Sequence, residues 1–191
     1  MGESLIMEKR RKRVVIDKDV EVLIVNNSPR KRIILGHDKV ASLVDLEQSG
    51  DEEYITVGEL KLLVNTNRKL FEGFSVLITE ILHDEFTLED LVSFVGLEKA
   101  YAEYWSLKTN AKDKSVQVGD IEAFILKSNE KRFDEILSTV NSQLKEKIIF
   151  LSINLFREGQ FKDYSKMQTI RKLTDEDLFD DLEIEKEFLA Q

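Results

Sequence analysis

The hydrophobic period of this chain changes at Thr56, and that change limits the folds open to it. Upstream, apolar residues come in short β-branched runs. Val20, Val22, Leu23, Ile24 and Val25 form the clearest one, closed by Asn26-Asn27-Ser28-Pro29, where Asx side chains and the fixed proline φ favour a turn. Residues 32–35 read as a returning strand, Gly36-His37-Asp38 as a second turn, residues 39–44 as a third strand and Tyr54-Ile55-Thr56 as a fourth. Short strands with turns every ~8–12 residues predict an antiparallel meander or a small barrel-like sheet.

Downstream, apolar residues recur every three or four positions. Thr56-Val57-Gly58-Glu59 fits a capping box, with a short helix running to about Asn65. Residues 74–82 could join a helix or form one more strand, and their β-branched content points to an edge strand. Thr87-Leu88-Glu89-Asp90 starts a helix with Leu88, Leu91, Val92 and Val95 on one face and Gly96 placed to stop it; residues 97–107 continue as another. After a polar loop at 108–118, Asp120 is expected to cap residues 121–127, and Ser128 or Asn129 to cap 130–140. The strongest helical pattern is residues 142–158, where Leu144, Ile148, Leu151 and Leu155 share a face before Gly159. Asp163 opens a helix to Leu173, and Thr174-Asp175-Glu176-Asp177 starts a last, acidic one. The expected fold class is α+β: a small antiparallel β-sheet with one or two helices, then a helical bundle. The expected units are a basic arm (1–13), a mixed β-rich domain (14–83) and a helical domain with the acidic helix at its end (84–191).

Composition narrows the chemistry. With no cysteine in 191 residues, thiolate nucleophiles, disulfides and Cys-ligated zinc are excluded. The glycines at 2, 36, 50, 58, 73, 96, 119 and 159 stand singly, so neither a Walker A loop nor a dinucleotide fingerprint exists. His37 and His83 each neighbour an Asp in an expected turn, which does not make a catalytic dyad. Asp51-Glu52-Glu53 and the acidic groups after Thr174 lack the ligand alternation of an EF-hand. No catalytic, cofactor-binding or metal-ligating residues are therefore expected. No apolar run reaches the roughly 20 residues of a membrane span, so no membrane role is expected.

Charge and aromatic residues supply the candidate partner-binding positions. Residues 1–40 carry a balance of +4 and the remainder −13. Lys9, Arg10, Arg11, Lys12 and Arg13 form an unbroken cationic run that could contact nucleic acid, dock on an acidic protein surface, or flank the first strand in solvent. Tyr101, Tyr104 and Trp105 lie within five residues and read as core packing or as an interface anchor. Three such side chains on one helix cannot share a direction, so at least one is expected to reach a partner or another domain.

The segments Val20-Glu21-Val22 through Asn26-Asn27-Ser28, Ser49-Gly50-Asp51-Glu52-Glu53-Tyr54-Ile55-Thr56-Val57-Gly58-Glu59-Leu60 and Asn67-Arg68-Lys69-Leu70-Phe71 resemble the N-terminal part of small proteins of undefined role encoded among the morphogenesis genes of large tailed bacteriophages. The resemblance spans about residues 20–105. It implies a virion or assembly component, in the particle or the host cytoplasm, and names no active residues. The expected function is a non-enzymatic structural or assembly protein whose partners are other protein subunits or further copies of itself. The alternative is a nucleic-acid-associated regulatory factor using the basic arm.

Overall fold

Five strands and eight helices make up the described residues, 14–29, 31–40, 43–175 and 178–179, of a computed structural model of the chain. The run of β-branched residues forms β1 (Glu21–Asn26), which lies in the middle of a three-stranded antiparallel sheet. Its neighbours are β4 (Glu52–Thr56), with Glu21 opposite Thr56, and β5 (Val76–Ile81), with Val22 opposite Ile81. β5 is thus the edge strand expected of residues 74–82. Val22 through Asn26 are buried without alternation, because both faces of this central strand are covered.

The expected meander is corrected. β2 (Ile33–Leu35) does not return along β1; it pairs with β3 (Val44–Leu46) in a separate two-stranded ribbon, where Arg32 and Asp45 form an ion pair. The third strand also begins later than residue 39. Val40 N–H donates to the His37 carbonyl and Lys39 N–H to His37 Nδ1, so the turn persists where a strand was expected.

The asparagines that end β1 explain the rearrangement. Asn26 and Asn27 are buried rather than solvated. Asn26 Nδ2 donates to the carbonyls of Lys31 and Leu46, at 2.9 and 3.1 Å, pinning both strands of the ribbon. Asn27 Nδ2 donates to the Phe74 carbonyl, at 3.0 Å, and its N–H to that of Ser75, fastening the entry to β5. These local turn formers act as clamps between segments distant in sequence.

Helices follow the capping signals closely. α1 (Val57–Thr66) starts with the reciprocal Thr56–Glu59 capping box, and α2 (Arg68–Glu72) follows it directly. α3 (Leu88–Phe94) has the same box between Thr87 and Asp90. Gly96, at φ 77°, closes α3: its N–H donates to the Ser93 carbonyl and that of Leu97 to Val92, a Schellman arrangement that favours glycine. α4 (Glu98–Ser106) and α5 (Asp120–Lys127) come next. Asp120 does not cap α5; Gly119 occupies that position, and the Asp120 carboxylate turns back to accept from Gln117 N–H and the Lys108 ammonium. Asn129 caps α6 (Glu130–Thr139), Asn141 caps α7 (Ser142–Arg157) and Asp163 caps α8 (Tyr164–Thr174). Thr174 is the last residue of α8, and Asp175 follows in the left-handed region. The rest of the expected acidic helix lies mostly outside the described residues.

The fold is α+β. α7 packs against both α2 and α5, and its Leu144, Ile148, Leu151 and Leu155 are buried. Packing therefore continues across residue 83: apolar side chains from Ile16 to Phe179 form one connected core.

Candidate functional site

Of the sequence-derived candidates, Lys9, Arg10, Arg11, Lys12 and Arg13 lie outside the described residues. Tyr101, Tyr104 and Trp105 are all buried. Each is covered by this chain, and Tyr101 meets the expectation in its second form, reaching Phe74 and Ile78 of the expected β-rich segment 14–83. Tyr101 packs edge-on against Phe74 and its hydroxyl accepts from the Ile78 N–H, at 2.8 Å. The Tyr104 ring also packs on Phe74, at 4.8 Å, while its hydroxyl lies 3.1 Å from the Gln117 carbonyl and 3.2 Å from Asp120 Oδ2. Trp105 lies edge-on to Tyr101 with the Lys114 ammonium 4.8 Å from its ring centre. The three aromatics lie on the buried side of α4, whose Glu98, Lys99, Ala102 and Ser106 are exposed. Burial pushes both tyrosine hydroxyls well above the ordinary phenol range, reinforced at Tyr104 by the Asp120 carboxylate.

Each histidine serves its own turn. His37 Nδ1 accepts from Lys39 N–H and His83 Nδ1 from Glu85 N–H, while the His83 ring lies 4.7 Å from that of Phe86. Among the described residues, no group of three or more His, Asp or Glu is placed to hold a metal ion.

Two lysines depart from the usual solvated pattern. Lys166 is buried, but its ammonium is well served: it donates to the Ile125 carbonyl at 2.8 Å, lies 3.4 Å from Asp163 Oδ2, and sits 5.6 Å from the Phe133 ring centre. Lys147, on α7, is only 9% exposed and has much less. Its Nζ donates to the Asn27 carbonyl, at 2.8 Å, and among the described residues no carboxylate lies within ion-pair distance of it. Loss of water around the ammonium lowers its pKa to about 8; nearby Glu122 opposes that shift and Lys31 adds to it.

Lys147 lies at one wall of an open groove between the turn after β1, the C-terminal end of α2 and α7. Lys31 and Lys69, both exposed, line the same groove, together with Ser28, Ser75 and Glu146. The site escaped the sequence reading because its lysines are 31, 69 and 147 in the chain. One local signal was present: position 147 is three residues after Leu144 and four before Leu151, so a lysine there stands on the apolar face of the most regular helix.

Compared with protein-family models, curated proteins and solved structures, the chain matches none. Among the described residues, no helix is long and apolar enough to cross a membrane.

Proposed function

We propose that the chain is a non-enzymatic structural or assembly protein of a phage particle, a tail, neck or baseplate component or an assembly factor, that works through contacts with other protein subunits. The observation that carries this reading is the separation of charge along the chain. In sequence, the cationic run at residues 9–13 precedes Ile16, the first buried side chain among the described residues, and the eight carboxylates after Thr174 flank Phe179, the last. A folded core thus lies between a strongly basic and a strongly acidic segment. Complementary charge of this kind steers encounter and fixes the orientation of head-to-tail partners. The resemblance of residues 20–105 to phage morphogenesis proteins gives the setting.

The test is light scattering after size exclusion, with and without duplex DNA, at about 50 and 200 mM salt, where screening differs appreciably. The parent chain is compared with a variant carrying Ser at 9–13. Self-association that is lost in the variant, without DNA binding by the parent, supports the assembly reading. Salt-sensitive DNA binding lost in the variant, with association intact, replaces it with the nucleic-acid reading.

A further inference from the structure

We propose that the groove bordered by Lys31, Lys69 and Lys147 is a binding site for a phosphate group. Lys147 carries a charge with no carboxylate within ion-pair distance among the described residues. Removing an ammonium from water is costly unless another charge and further hydrogen bonds replace the lost solvation, and buried charges are accordingly paired. Lys166 shows how this chain meets that requirement internally, with a carboxylate, a carbonyl and an aromatic face. Lys147 has one carbonyl, which leaves further N–H donors of the ammonium for a ligand. A ligand that is itself anionic supplies the direct ion pair that Glu122, near but not within ion-pair distance, does not.

The surroundings specify the kind of anion. Three lysines and one glutamate, Glu146, line the groove among the described residues, and the charge of Glu122 also acts on Lys147, which leaves a net positive site. Lysines bind phosphate as compact point charges with three donors each. Ser28 and Ser75 line the same groove, whose volume of about 390 Å³ admits a phosphorylated small molecule.

The floor of the groove is also fixed in advance. The Asn27 carbonyl that holds Lys147 belongs to a residue whose own amides are bonded to Phe74 and Ser75. Lys147 is therefore positioned by the sheet and the helix together, and little ordering remains to be done on binding.

Calorimetric titration of the full chain with inorganic phosphate, in a buffer of non-coordinating anions, tests the proposal. The comparison variants are Lys147→Met and the exposed pair K31S/K69S, which keeps the proposal testable should the buried substitution not fold. Saturable binding is expected, weakened by more than about tenfold in Lys147→Met, as for loss of a charge-assisted hydrogen bond. K31S/K69S should weaken it less and reduce its salt dependence. A parallel titration uses a mixed-sequence duplex oligonucleotide. Binding that phosphate displaces and that both variants weaken identifies a nucleic-acid backbone as the source of the phosphate. No saturable phosphate binding by the parent chain, or binding unchanged in both variants, overturns the proposal.

Discussion

Replacing Tyr101 by Phe removes one oxygen atom and tests how the outer edge of β5 is satisfied. Ile78 stands opposite Ile24 of β1, and the Tyr101 hydroxyl lies 2.8 Å from its N–H and 3.5 Å from its carbonyl oxygen. The hydroxyl thus occupies the place that a residue of a further strand would take. The Phe ring keeps the contacts with Phe74 and Trp105, so almost no volume is lost and the cavity contribution is small. What changes is that a fully buried N–H loses its acceptor. An unsatisfied buried donor costs about 1–3 kcal/mol, a sizeable part of a typical stability of about 5–15 kcal/mol. With an m-value of about 2 kcal/mol/M, the urea midpoint should fall by about 0.5–1.5 M at unchanged slope. Amide exchange at Ile78 should accelerate by at least the same free energy. A midpoint within about 0.2 M of the parent, which corresponds to less than the smallest penalty, with Ile78 exchange unaltered, would refute the reasoning.

Three further outcomes are expected. Thr56→Ala should lose about 1 kcal/mol in chemical denaturation, since it removes the acceptor for Glu59 N–H and half of the capping box; no loss in either Thr56→Ala or Glu59→Ala would contradict the cap. Ile148→Ala and Leu151→Ala should each cost about 2–5 kcal/mol, because both side chains are buried where α7 joins the two halves; unchanged urea midpoints would place that face at the surface. For Lys147, the folded pKa of about 8 lies below the ordinary 10.5, so the folded chain sheds this proton first. Its contribution therefore rises as pH increases from about 8 towards 10.5, by at most about 3 kcal/mol, and this rise is absent below that window. In phosphate-free buffer the stability of the parent relative to Lys147→Met should increase between pH 7.5 and pH 10; a difference independent of pH would count against a desolvated ammonium facing Lys31 and Glu122.

Short-range signals in the sequence were dependable where the physics is short-range. The Thr56 capping box, the helix start at Thr87, the Gly96 stop and the apolar face of α7 depend on residues within a few positions of one another, and all are found as expected. The pairing of strands was not legible, because Asn26 looks the same whether it turns the chain in solvent or reaches Lys31 and Leu46 inside the core. Asp120 illustrates the same limit: an Asp before a helix suggests a cap, yet Lys108 and Tyr104 attract its carboxylate elsewhere. The groove around Lys147 required the fold, since no sequence window contains its three lysines. Only the anomaly of a charge on an apolar helix face pointed to it.

The central place of β1 has a consequence for synthesis. This strand leaves the ribosome before either of its neighbours, and its second edge is not covered until Ile81 has followed. No hairpin can shield it, because β2, the next strand to emerge, is committed to another ribbon. Until then the nascent chain displays an apolar strand with unpaired backbone on at least one side, the template on which neighbouring chains aggregate. Pauses that hold residues 76–81 inside the ribosome should prolong that exposure, and pauses after Ile81 has emerged should be harmless. The demand for a holding chaperone would accordingly peak midway through translation.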